Sequence, residues 1–161
     1  MNIIIIEDDP NKLRQLEELV RFQLPQAEIA SRRSYQSGLR EVLRGLADFV
    51  VLDMTMPTYD VSPTEKGGRT RVYAGREILR EISRRKIAAR VIVVTQFETF
   101  GEGALKKTLA ELRGELMRDF PGTYVDSVFY HPAQTAWRDR LAELCAELGE
   151  GVKRADQDSS D

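Results

Sequence analysis

Residues 49–57 read Phe49-Val50-Val51-Leu52-Asp53-Met54-Thr55-Met56-Pro57. The first four are apolar, strand-length and without polar alternation, so a strand here is covered on both faces. Such strands belong in parallel sheets flanked by helices. The run stops at an acid, and in doubly wound sheets function sits outside the carboxyl ends of the strands. Asp53 is therefore the residue around which the rest of the chain is read.

Towards the N-terminus, Ile3 to Ile6 is a second apolar run, ended by Glu7-Asp8-Asp9. Pro10 follows as a first-turn helix residue with Asp9 as its N-cap, and Leu13, Leu16, Val20 and Leu24 recur at helical spacing. Ala27 to Ser31 is a weak strand, and a helix starting at Ser34 or Ser37 carries Leu39, Val42 and Leu43. Towards the C-terminus, a polar segment from Thr55 to about Val72 leads to helical spacing at Ile78, Leu79 and Ile82. Val91 to Val94 is a strand ending at Thr95, and Leu105, Leu109, Leu112 and Leu116 mark a helix. Val125 to Tyr130 is the fifth strand, followed by His131-Pro132 and a helix with Trp137, Leu141, Leu144 and Leu148 that Gly149 should end. Lys153 to Asp161 reads as a polar, frayed tail. Five strand–helix repeats predict an α/β, doubly wound, five-stranded parallel sheet in one domain over 1–150, with a tail at 151–161.

Composition sets limits. The chain has 161 residues, 24 Lys plus Arg against 26 Asp plus Glu, and a net charge of −2. That balance argues against a general nucleic-acid binder. One cysteine and one histidine rule out a Cys/His zinc cage. The opening apolar run is too short for a signal peptide or membrane span, so a cytoplasmic protein with no direct membrane or nucleic-acid contact is expected. The residues after His131 are too few for an attached DNA-reading module, so output is expected to pass through another chain.

Glu7, Asp8 and Asp53 at adjacent strand ends would repel unless a cation held them, and an all-oxygen set suits Mg²⁺. Beside a metal, an exposed carboxylate can attack phosphorus. The order Glu7-Asp8, Leu52-Asp53-Met54-Thr55-Met56-Pro57, Val93-Val94-Thr95 and Tyr130-His131-Pro132 resembles a response-regulator receiver domain from Asn2 to about Leu148. The resemblance implies a flavodoxin-like (βα)5 fold with strand order 2-1-3-4-5. It makes Asp53 the phosphoacceptor, places Mg²⁺ chiefly on Asp8, Asp53 and the Thr55 backbone carbonyl with Glu7 completing the acidic pair, and makes Thr95 the hydroxyl that bonds the phosphoryl group. It further implies a sensor histidine kinase or phosphotransfer protein as donor, a downstream protein target, and a homodimer through the face of the fourth helix, fifth strand and fifth helix. The resemblance also implies a signalling domain rather than an enzyme, autodephosphorylation aside.

Three features depart from the family pattern. His131 stands where the family has the lysine that clamps the phosphoryl oxygen, as a candidate phosphoryl contact whose imidazole neighbouring carboxylates should keep charged. The segment at about 58–72 is an insert containing Lys66-Gly67-Gly68-Arg69-Thr70-Arg71, read as a mobile loop or as a cover for Asp53 that supplies the missing cation. The stretch between Thr95 and His131 is extended, and Val128 replaces the usual switch aromatic, with Phe129 or Tyr130 as substitutes. These departures motivate a second reading, a receiver-like interaction module indifferent to phosphorylation. A phosphohydrolase of the haloacid dehalogenase type fits poorly, since Thr55 stands where its second aspartate belongs. Cys145 reads as a small buried hydrophobe.

Overall fold

A computed structural model describes residues 1–160. Its central sheet has strands β1 (Asn2–Ile6), β2 (Glu28–Arg32), β3 (Phe49–Leu52), β4 (Arg90–Thr95) and β5 (Tyr124–Phe129). All four pairings are parallel and the order is β2-β1-β3-β4-β5, as expected for the flavodoxin-like class. Helices α1 (Pro10–Gln23), α2 (Tyr35–Val42), α3 (Ala74–Arg84), α4 (Leu109–Asp119) and α5 (Ala136–Asp158) cover both faces.

Strand alternation divides the core. Ile4, Ile6, Val50, Leu52, Val91 and Val93 face α2, α3 and α4, where Ile78, Leu79, Ile82, Leu112 and Leu116 meet them. Ile3, Ile5, Phe49, Val51, Ile92 and Val94 face α1 and α5, against Leu16, Val20, Leu141, Leu144 and Cys145. Successive side chains of a strand point to opposite faces, so an uninterrupted apolar run serves both layers. The caps are local: Asp9 accepts the N–H of Lys12 at 2.7 Å, Ser34 that of Ser37 at 3.2 Å, and Thr108 that of Glu111 at 3.1 Å.

Three expectations are corrected. The insert is an ordered hairpin: Met56–Pro57 pairs antiparallel with Thr70–Arg71, and Val61 bridges Lys66 near the tip. Gly67 and Gly68 sit at φ +84° and +66°, a left-handed pair that lets the returning strand fold back under Tyr59. The hairpin is tied to the start of α2, where Gln36 N–H donates to Thr58 O at 2.9 Å and Ser37 Oγ to Asp60 Oδ1 at 2.7 Å. Next, α4 starts at Leu109. Leu105 lies 79% exposed in a 3-10 turn at the tip of a second hairpin, Thr99–Phe100 with Lys107–Thr108, so the expected four-leucine stripe is cut to its last three members. Finally, α5 runs past Gly149 to Asp158. A Cβ at Gly149 would lie 2.8 Å from Leu24 Cδ2, so the glycine permits close packing on the end of α1 instead of stopping the helix. Position 161 of the expected tail lies outside the described residues.

Candidate phosphoacceptor site

The carboxyl end of β1 is joined to β3 on one side and to β2 on the other by backbone bonds that continue the ladders past the last strand residues. Asp53 N–H donates to Ile6 O, and Glu7 N–H to Arg32 O, both at 3.0 Å. This register sets Glu7 beside Asp53. Carboxylate oxygens of Glu7, Asp8 and Asp53 all lie within 4.8 Å of one another. Glu7 and Asp53 are buried and Asp8 is half-buried. Burial and the neighbouring Asp53 charge push Glu7 up to about 8, against the pull of Lys12, and the same two causes raise Asp8.

Sequence reasoning missed Lys12. Its side chain is 1% exposed, and its ammonium lies 2.5 Å from Glu7 Oε2 and 3.2 Å from Asp53 Oδ2. It also donates to Val94 O at 2.7 Å and sits 5.5 Å over the Tyr130 ring. Burial would lower the Lys12 pKa, but Asp53 and Glu7 outweigh it and hold the ammonium charged. A signal was available: Lys12 lies on the stripe of Leu16, Leu19 and Val20, four positions before Leu16, where an apolar residue belongs.

The other oxygens are also positioned. Asp53 Oδ1 accepts the N–H of Met54 at 2.7 Å, and Glu7 Oε1 that of Asp9 at 3.0 Å. Thr95 is fully buried at the end of β4, and its Oγ1 accepts the N–H of Phe97 at 3.2 Å, which leaves its own proton to donate. The Thr55 hydroxyl donates to Val72 O at 2.8 Å, fixing the loop after Asp53 to the base of the first hairpin.

His131 is not joined to the cluster. It is exposed, and its Nδ1 accepts the N–H of Ala133 at 3.1 Å. The insert supplies no cation either: among the described residues no ion pair joins Lys66, Arg69 or Arg71 to Asp53, and Arg71 stacks on Tyr35 at 4.3 Å and pairs with Glu77. Tyr130, rather than Phe129, shares the α1–α5 face with Val128 and packs on Trp137 with ring centroids 4.9 Å apart.

No family model matches the chain. It is 37% identical over 144 residues to the uncharacterized protein y4jR of Sinorhizobium fredii, covering 88% of this chain and 94% of that one. It is 29% identical over 150 residues to the Detocs response regulatory protein DtcB of Enterobacter cloacae, covering 92% of this chain and all of the relative. Among solved structures, the response regulatory domain of mrkE from Klebsiella pneumoniae superposes with a TM-score of 0.64 at 15% identity, covering 96% of this chain and 99% of that one.

Proposed function

Because the chain belongs to one family with y4jR and carries the response-regulator receiver fold, we propose that it is a phosphoacceptor whose nucleophile is Asp53. The observation that carries this reading is the meeting of Glu7, Asp8 and Asp53 at adjacent strand ends, with Asp53 at the end of the central strand. The reaction needs little from the protein beyond position and charge. With an acyl phosphate as donor, an Asp53 carboxylate oxygen bonds to phosphorus and the donor's bond to phosphorus breaks. The donor leaves as a carboxylate with the electron pair, and Asp53 becomes an acyl phosphate. No proton is exchanged.

The donor set is all oxygen and fits Mg²⁺, with Asp8, Asp53 and the Thr55 carbonyl as the holding groups and Glu7 beside them. Bound Mg²⁺ supplies charge neutralisation at the transferring phosphoryl oxygens. Thr95 donates its free hydroxyl proton to the phosphoryl group. The physiological donor is the phosphohistidine of a histidine kinase or phosphotransfer protein, whose N–P bond breaks with the electron pair going to the departing imidazole nitrogen, and the output is a changed contact with another protein. No helix among the described residues is long and apolar enough to cross a membrane.

Two observations favour a second reading. Lys12 already neutralises Glu7 and Asp53, and Val128 replaces the family's aromatic, as a phosphorylation-independent module would have it. Intact-protein mass after incubation with Mg²⁺ and acetyl phosphate separates the two. The phosphoacceptor reading requires a phosphoryl-sized gain in the parent that Asp53→Ala lacks. A gain in Asp53→Ala contradicts the assignment, and no gain in the parent selects the second reading.

A further inference from the structure

A phosphoryl group on Asp53 adds roughly two negative charges beside Glu7 and Asp8. A divalent metal offsets part of that, and a cation from the chain must face the rest. His131 is turned towards its own loop, and the arginines of the first hairpin are engaged elsewhere. Lys12 is the cation already in the site, paired to Asp53 Oδ2 and anchored on Val94 O, one residue before Thr95. Its place is unfavourable on general grounds. A helix N-terminus repels positive charge, and a buried ammonium is costly unless paired. The carboxylates resolve both problems.

We propose that Lys12 is the phosphoryl-contacting cation of this chain, supplied from the first turn of α1 instead of from the loop after β5. This rests on the phosphoacceptor reading of Asp53. In the free protein Lys12 holds Asp53 Oδ2. When the O–P bond forms, the ammonium keeps Val94 O and transfers its contact from Oδ2 to a phosphoryl oxygen. Because Nζ lies over Tyr130, and Tyr130 packs on Trp137, the transfer is sensed at the single tryptophan of the chain.

The test measures acetyl phosphate labelling of the parent, Lys12→Met and His131→Ala by intact mass, and Mg²⁺ affinity by Trp137 fluorescence. Lys12→Met should label on the order of a hundredfold more slowly, as expected on losing one preorganised charge donor. It should also bind Mg²⁺ more tightly, since no ammonium then competes for the carboxylates, while His131→Ala labels at the parent's rate. Labelling of Lys12→Met at the parent's rate, or a comparable loss in His131→Ala, overturns the inference alone. Absence of labelling in the parent overturns the Asp53 reading and this one with it. Should Lys12→Met fail to fold, the parent suffices. With lysines ¹⁵N-labelled, the Lys12 ammonium resonance should shift when Mg²⁺ and beryllofluoride, a phosphoryl mimic, are added, and an unmoved resonance overturns the inference.

Discussion

Three carboxylates meet one ammonium in this site, and burial first, with the neighbouring Asp53 charge second, raises the pKa values of Glu7 and Asp8. The two acids are nevertheless unequal. Both Glu7 oxygens are engaged, one by the Asp9 N–H and one by Lys12, whereas Asp8 is half-buried and unpaired with any cation among the described residues. Asp8→Asn should therefore weaken Mg²⁺ binding more than Glu7→Gln, as read by Trp137 fluorescence titration; equal losses would contradict the unequal roles. In the core beneath α5, burial pushes the Cys145 thiol up to about 12. Thiol reagents at pH 8 should leave the folded protein unlabelled and label it only in denaturant.

At the scale of elements, α3 packs directly on the segment that holds Asp53. Gly75 N–H donates to Met54 O at 2.9 Å, and a Cβ on Gly75 would lie 2.5 Å from Leu52 Cδ1 and 2.8 Å from Asp53 O. Gly75→Ala should cost about 1–3 kcal/mol in urea unfolding, the usual range for overpacking. It should also slow labelling of Asp53, because the backbone at Asp53 and Met54 must move along with the Leu52 side chain. Asp126 of β5 ties two helices to the sheet edge, accepting from Arg113 of α4 at 2.7 Å and Arg140 of α5 at 2.9 Å. Burial would raise its pKa, but Arg140, the Ser127 N–H and Arg113 outweigh burial and lower it. A carboxyl with a depressed folded pKa contributes stability above its unfolded value of about 3.9, and loses it as pH falls through the folded value. Asp126→Asn should thus be less stable than the parent at neutral pH, by about 1 kcal/mol given half-exposed arginines. The deficit should shrink below pH 4 in acid-denaturation curves; a deficit constant with pH would place the effect in packing.

For the molecule as a whole, the proposed Mg²⁺ site is linked to folding. The three carboxylates converge only when β1 and β3 are paired, so the unfolded chain has no equivalent site. Mg²⁺ at a hundred times its Kd should add about 2.7 kcal/mol, and raise Tm by roughly 5–10 °C for a domain of this size. In Asp8→Asn the midpoint should stay where it was without metal. The two hairpins, at 56–71 and 99–108, are likewise whole-molecule features. One fixes the loop after Asp53 through Thr55 and Val72, and the other follows Thr95 and buries Phe100 in the core.

The sequence by itself determined the five strands, their parallel class, the caps at Asp9 and Ser34 and the acids that close the first and third strands, because these follow from apolar run length and contacts within a few residues; the strand order came from the family resemblance. The same short-range logic failed where a distant contact decided the outcome. Gly149 reads as a stop until Leu24 is placed against it, and the glycine-rich insert reads as a loop until its backbone pairs across the turn and bonds to α2. Lys12 is the clearest case. Its partners are five residues back, on Glu7, 41 residues on, at Asp53, and 82 residues on, at Val94. Only the sheet brings those atoms together, because burying an ammonium is tolerable solely where carboxylates and a carbonyl from separate strands converge to replace its water.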